Sequence, residues 1–303
     1  MPEREPRVLI VFVDRGSPNG TQFGGFARRL RKRGGLDGIV VDHVALDDLY
    51  FQIKGEDTSV TDLRTDAPID GYDWVYFKSW ERRPDVAAAF ASYLQRRGIA
   101  FVDSAAAQKG FNKLASHMAF WARGIKVAST VHCARHQLLP LLPRLTLKYP
   151  LVIKDVNGQK GRLNFLVRDQ AEAAAILEQH PGTEFLVQEY IPSTHDLRVQ
   201  VFGGAAKLVI ERTPRAGSHL NNSAAGATAR LLPAEAVDPR VLDLAERAAE
   251  AVGLQIAGVD IMPHAGTGEY HVLEVNQGSQ IATGSITNEK MDGFIAYLRT
   301  QAG

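Results

Sequence analysis

Near the C-terminus, Gly258-Val259-Asp260-Ile261-Met262 and Tyr270-His271-Val272-Leu273-Glu274-Val275-Asn276 form two apolar, β-branched runs joined by Pro263-His264-Ala265-Gly266-Thr267-Gly268. That is the pattern of a β-hairpin. Alternation along the second strand puts Glu274 and Asn276 on one face, roughly 6.6 Å apart along it. Pairing can bring Asp260 of the first strand to the same face. Three hard oxygen donors suit Mg²⁺, which is usually held by one or two carboxylates plus substrate phosphates. An edge hairpin whose polar residues face water shows the same pattern, so the weight falls on what else the chain supplies.

Cations come next. Lys154 follows the apolar strand Leu151-Val152-Ile153 and precedes the loop Asp155 to Gly161, after which Leu163 to Val167 reads as a second strand. A Gly-x-x-Gly loop, here Gly158 and Gly161, can offer backbone N–H groups to phosphate oxygens above a lysine fixed on a strand. Lys113 falls in the first turn of a helix expected over residues 112–123, with Leu114, Met118 and Trp121 inward. A cation there opposes the helix dipole, which makes more sense if it reaches for an anion. Asp196 and Arg198 share one face of the alternating strand 196–202, and buried charge is costly unless paired or liganded, so this face should line a polar cleft. Lys78 and Arg82 follow the strand 73–77, where open α/β sheets bind ligands. They could meet an acidic substrate, although solvated surface charge has the same look. The polar loop 213–228, with Arg215, Asn221 and Asn222, is long enough to be either functional or disordered. His132-Cys133-Ala134-Arg135-His136 lacks the second ligand pair of a structural zinc site.

The elements that must position these residues follow from hydrophobic pattern. Arg7 to Val13, an amphipathic segment through Phe23, Phe26 and Leu30, Gly34-Gly35 and the strand 39–41 make a βαβ unit, whose glycines do not match a dinucleotide fingerprint. Strand 73–77, helix 86–97 and strand 99–103 complete a small doubly wound domain ending near Ala107. A helix over 169–179, strands at 185–192, 196–202 and 207–212, and a helix over 238–252 lead back to the hairpin. At 303 residues the chain is long enough for two or three domains. A formal charge of +1 with interspersed signs argues against nucleic acid or membrane as the main partner. No apolar run reaches the length of a membrane span, the N-terminus enters a strand rather than a signal-peptide core, and the one cysteine fits a reducing compartment, so a cytoplasmic location is expected.

Together, Asn112-Lys113-Leu114, Pro150 to Lys154 with Gly158 and Gly161, Val187-Gln188-Glu189-Tyr190-Ile191, Asp196-Leu197-Arg198, Glu211-Arg212, Asn222, Gly258 to Ile261 and Leu273 to Asn276 resemble the ATP-grasp superfamily. Within it they resemble the RimK-like carboxylate–amine ligases. The resemblance covers roughly residues 110–303. It implies an α/β fold, α+β in the C-terminal part: an ATP-grasp fold after a doubly wound N-terminal domain, with units at 1–107, 108–186 (the lid) and 187–303. It implies that Lys113 and Lys154 contact ATP phosphates, that Gly158 and Gly161 close over them, and that Gln188, Glu189 and Tyr190 form the adenine-binding hinge. It implies Asp196 at the ribose, two Mg²⁺ ions (with Mn²⁺ as a substitute) on Asp260, Glu274 and Asn276, and Arg198, Arg212 and Asn222 at the transferred phosphoryl group. The substrates implied are a small-molecule or peptide carboxylate and an amine, joined through an acylphosphate with release of ADP and phosphate. A homo-oligomer is left open.

The chain departs from that pattern at Gln277-Gly278-Ser279, where Ser-Pro is usual, and around Asn222, where an arginine and a Gly-Gly pair are missing. Both departures fall where the substrates would sit. An ATP-grasp kinase, or a nucleotide-binding regulator with a lapsed site, are the competing readings.

Overall fold

The computed structural model describes residues 4–14, 23–54, 57–108, 112–158, 162–215, 227–278 and 280–302. The expected βαβ start is present as β1 (Arg7–Phe12), α1 (Phe23–Arg33) and β2 (Val40–Ala45). A meander without counterpart in the sequence reading follows: β3 (Leu49–Gln52), β4 (Ser59–Asp62) and β5 (Ala67–Pro68). Then come β6 (Trp74–Phe77), α2 (Pro84–Arg97) and β7 (Ala100–Val102). The sheet order is β2-β1-β6-β7, all parallel. β6 is buried along its whole length, because α1 covers one face of the sheet and α2 the other. Pro84 starts α2, where its missing N–H costs nothing, and Gly98, at φ 70°, ends it.

The second unit contains α3 (Lys113–Ala122), β8 (Thr130–Val131), α4 (Arg135–Leu141), β9 (Leu151–Asp155), β10 (Asn164–Val167), α5 (Gln170–Gln179) and β11 (Phe185–Glu189). Its antiparallel sheet runs β10-β9-β11-β8. It encloses its own core, around Leu138, Leu151, Ile153, Leu177 and Phe185. β11 belongs wholly to this sheet, so the unit runs past residue 186 to Glu189.

The third unit is a sheet of order β14-β13-β12-β15-β16, built from β12 (Asp196–Phe202), β13 (Ala205–Thr213), β14 (Thr228–Leu231), β15 (Ile256–Pro263) and β16 (Tyr270–Gln277). Helix α6 (Pro239–Ala251), capped by the Asp238 side chain, covers one face through Val241, Ala245 and Ala248. The C-terminal helix α7 (Thr287–Ala302) crosses to the first unit. Phe294 lies 5.9 Å from Phe26 and 5.5 Å from Tyr76, ring centre to ring centre, and Tyr297 meets Trp74 edge-on. First and third units therefore share their hydrophobic cores, into which α3 also sends Phe120, whereas the sheet of the second unit, with α4 and α5, has a core of its own.

One helix turns a different face inward than its pattern predicts. In α3 the buried residues are Ser116, His117 and Phe120, while Met118 and Trp121 are 55% and 72% exposed. The polar pair is partnered in part, the buried His117 Nδ1 having no directed hydrogen bond among the described residues. Ser116 Oγ donates to the Asn112 carbonyl, and His117 Nε2 lies 2.7 Å from the amide nitrogen of Gln188.

Candidate active site

The hairpin expected at the C-terminus forms, with an irregularity in register between Asp260 and Ile261. Asp260 consequently stands opposite Glu274, and Gly258 opposite Asn276. On the neighbouring strand Arg198 pairs with Asp260, and beyond it Asp196 pairs with Arg212. Opposed residues of an antiparallel sheet share a face. Charged and amide side chains therefore gather on the face away from α6.

Their contacts are specific. Asn276 Nδ2 lies 3.0 Å from Glu274 Oε1 and 3.3 Å from Asp260 Oδ2, so the amide and both carboxylates form one cluster. Arg198 Nε and Arg212 Nη2 lie 3.1 and 3.0 Å from Asp260 Oδ1, yet that oxygen, buried, receives no well-directed hydrogen bond. Burial raises the Asp260 carboxyl to about 6, against the pull of Arg198 and Arg212. Burial would raise Glu274 too, but Lys113, Lys154 and the Asn276 amide leave it below its ordinary value. Gly258 is required here, since a Cβ would run into the Arg198 guanidinium, which donates to the Gly258 carbonyl at 2.9 Å.

Lys154, on β9, faces this cluster across the cleft. It is buried, within electrostatic reach of Glu274, Lys113 and Asp260, and has no hydrogen bond or ion pair among the described residues. Burial lowers its ammonium to about 8. Lys113 sits behind the N-cap Asn112 and donates from Nζ to the Gly158 carbonyl, so the misplaced cation at the helix start is tied to the loop beyond β9. Glu189 and Tyr190 occupy the crossing from the second sheet to the third, and the Glu189 N–H is committed to the Ser129 carbonyl at 2.9 Å. Gln188 is buried, its amide nitrogen donating to Thr130 Oγ1 at 2.6 Å. It braces the hinge through its side chain and can meet a ligand through its backbone only.

Other expected residues are placed differently. Asp196 is 2% exposed, and both its oxygens accept from Arg212, at 2.7 and 2.6 Å. It orients Arg212 from behind the site rather than presenting free oxygens to a ribose. That pairing, with Asp260 close by, holds the Arg212 guanidinium above its ordinary value despite burial. Arg82 is a surface cation 2.7 Å from Asp14, and Lys78 donates to the Gly278 carbonyl, so neither projects freely at a substrate. Arg215 is exposed beyond β13. Gly161 and Asn222 lie outside the described residues.

Lys290 of α7 was invisible to the motif reading. It is 3% exposed and donates to the Gln280 and Thr283 carbonyls at 2.8 and 2.7 Å. A signal did exist: Lys290, Phe294 and Leu298 are spaced four apart on the apolar stripe of α7, where a lysine calls for a reason.

Among the described residues no three His, Cys, Asp or Glu side chains gather in a metal-binding group. The donor set is two carboxylates and one amide oxygen, with a buried carboxylate oxygen short of a directed partner. That fits a hard divalent cation that keeps water and phosphate oxygens in its shell.

Residues 110–293 match the model of the RimK-like ATP-grasp domain. Over 131 residues the chain is 36% identical to the ribosomal protein bS6–L-glutamate ligases of Salmonella newport (strain SL254) and Salmonella agona (strain SL483), an alignment covering 42% of this chain and 42% of each relative. The likeness thus spans less than half the length of those curated relatives. In fold, the chain is similar to ATP-grasp ligase PsnB complexed with a phosphomimetic variant of its minimal precursor, Mg and ADP. There the TM-score is 0.67 at 18% identity, over 97% of this chain and 99% of that one. It is similar also to the VanG D-Ala:D-Ser ligase from Enterococcus faecalis, with TM-score 0.69 at 16% identity over 98% of both chains.

Proposed function

The chain belongs to the RimK-like ATP-grasp family, and on that premise we propose that it is an ATP-dependent carboxylate–amine ligase. The observation that carries the reading is Lys154: a buried ammonium without a partner among the described residues, set across the cleft from Asp260, Glu274 and Asn276. An unpaired buried cation is costly, and a polyphosphate would compensate it.

In this reading Lys154 and Lys113 hold the ATP phosphates, while the backbone at Glu189 and Tyr190 takes the base. Asp260, Glu274 and the Asn276 oxygen would hold Mg²⁺, two ions by family resemblance, which supplies charge neutralisation at the phosphoryl oxygens. Arg198 and Arg212, locked by the Gly258 carbonyl and by Asp196, present fixed positive charge to the same group. A substrate carboxylate attacks the γ-phosphorus, ADP leaves, and the acylphosphate then loses phosphate to an attacking amine. The separate core of the second unit's sheet, with α4 and α5, suits a lid that excludes water between the two steps. The bS6-modifying relatives suggest an amino acid as amine and a peptide or protein terminus as acid.

The test is phosphate release from Mg·ATP against amino acids and short acidic peptides, singly and in pairs, with mass analysis of products. Release that requires two partners and yields an amide is expected. A stable phosphorylated product with no amine requirement would make the protein a kinase instead. Glu274→Gln should remove turnover by roughly three orders of magnitude with the fold intact, since its role is charge rather than packing. Retained activity would place the metal elsewhere.

A further inference from the structure

Immediately after β16 the chain makes a loop whose described residues, Gly278 and Gln280 to Ile286, are held in an unusual way. Gly278, Gln280, Gly284 and Ile286 all have φ between 51° and 74°. For the β-branched Ile286 that is a strained conformation, one that persists only where surroundings enforce it. The enforcing groups are three cations from three elements. Lys78, just beyond β6, donates to the Gly278 carbonyl; Arg29 of α1 donates to the Ala282 carbonyl; Lys290 of α7 donates to those of Gln280 and Thr283. Gly278 cannot carry a side chain, because a Cβ would stand 2.6 Å from Lys78 Nζ and 2.8 Å from the Lys78 carbonyl oxygen.

None of the three has a carboxylate within ion-pair distance among the described residues. The acids that face them lie further off. Glu81 and Asp103 act on Lys78 and Glu289 acts on Lys290, while Arg198 and Lys78 add like charge to Lys290. Asp103 contributes little negative charge, since burial pushes its carboxyl up to about 8. Free carbonyl oxygens along a cleft repel an anionic substrate. Here four of them, two to seven residues beyond Asn276, are turned onto cations that have no ion-paired carboxylate among the described residues.

We infer that Lys290 and Lys78 are positioning residues that fix this loop as the wall seating the anionic group of the second substrate. The inference deepens the ligase reading and rests on it for the substrate, though not for the state of the loop. Through Lys78 the first unit sets the shape of a pocket in the third. Nothing in either lysine touches the nucleotide set, so the loop and the phosphate site should respond separately.

The experiment uses the full chain as wild type, Lys290→Met, Lys290→Arg and Lys78→Met. Amide hydrogen exchange is read over residues 278–286 and over β16, and Mg·ADP affinity is measured by calorimetry. Expected is at least tenfold faster exchange confined to the loop in both methionine variants, partial protection in Lys290→Arg, and ADP affinity within twofold of wild type. With the substrate pair that wild type uses, KM for the second substrate, the amine, should rise tenfold or more and KM for ATP should not. Unchanged loop exchange, or lost ADP binding, would overturn the inference. Wild type that turns over no substrate would count against the ligase reading alone, because exchange and ADP binding still decide the loop's role. Should Lys290→Met fail to fold, Lys78→Met carries the same readouts.

Discussion

The two walls of the cleft use buried lysines in opposite ways. On the wall proposed for the nucleotide, Lys154 is enclosed by protein and its ammonium has no hydrogen-bond or ion-pair partner among the described residues. On the loop wall, Lys290 is equally enclosed and Lys78 half-buried, but every side-chain hydrogen bond they make among the described residues goes to a backbone carbonyl of one short loop. Both environments depress the ammonium to about 8 through burial. Depressed basicity alone therefore does not separate a ligand-binding lysine from a structural one. The absence or presence of an acceptor does.

Variants can break or sharpen that contrast. The largest stability effect belongs to the seam between the walls. Asp196→Ala leaves the buried Arg212 guanidinium without its bidentate partner, and should cost about 3–5 kcal/mol in chemical denaturation. A loss below about 1 kcal/mol would mean that Asp260 alone suffices for Arg212.

Next is Lys154→Met. It should lower turnover by roughly 10²–10³-fold, as removal of a preorganised charge does, while leaving the melting temperature unchanged or raised, because an unpaired buried cation is exchanged for an apolar chain of similar length. A clear fall in melting temperature would show that Lys154 is structural like Lys290, and the contrast would collapse.

A pH-dependent effect comes from Asp103, whose Oδ1 accepts from the Ile256 N–H at 2.7 Å. Burial raises its carboxyl to about 8, against roughly 3.9 in an unfolded chain. The folded state binds the extra proton, so this contribution is full below about pH 4 and is lost as pH rises toward 8. Asp103→Asn keeps an acceptor and removes the slope, so its melting advantage over wild type should widen from pH 5 to pH 8. Parallel curves would show that Asp103 is ionised in the fold. The depressed lysines act in the opposite sense above pH 8, which fixes the upper end of the range.

The smallest effect is expected at Trp121→Ser, within about 0.5 kcal/mol, because that side chain is largely exposed. A larger loss would mean that α3 packs as its apolar pattern suggested.

That helix marks where the pattern misled. Leu114, Met118 and Trp121 are spaced to face a core, yet α3 turns His117 and Ser116 inward, where Gln188 meets His117 Nε2 and the Asn112 carbonyl accepts from Ser116. No local pattern reports a partner 71 residues away. The hairpin was legible because period-two alternation and a Gly-rich turn are local properties that place Glu274 and Asn276 on one face whatever surrounds them. The parallel first sheet was legible for the same reason, and so was the polar face carrying Asp196 and Arg198.

What the sequence by itself determined is thus the set of elements and the chemistry each can present: two acids and an amide on a hairpin, a lysine on a strand, a lysine at a helix start. Tertiary structure decided which charges remain free. Asp196 was expected at a ribose but its oxygens are occupied by Arg212; Lys78 was expected at a substrate but holds the Gly278 carbonyl; and Lys290, unremarked in the chain, closes the loop from the far end. Residue type and spacing set what a side chain can bind, but whether it is already bound depends on groups that only folding brings within 3 Å.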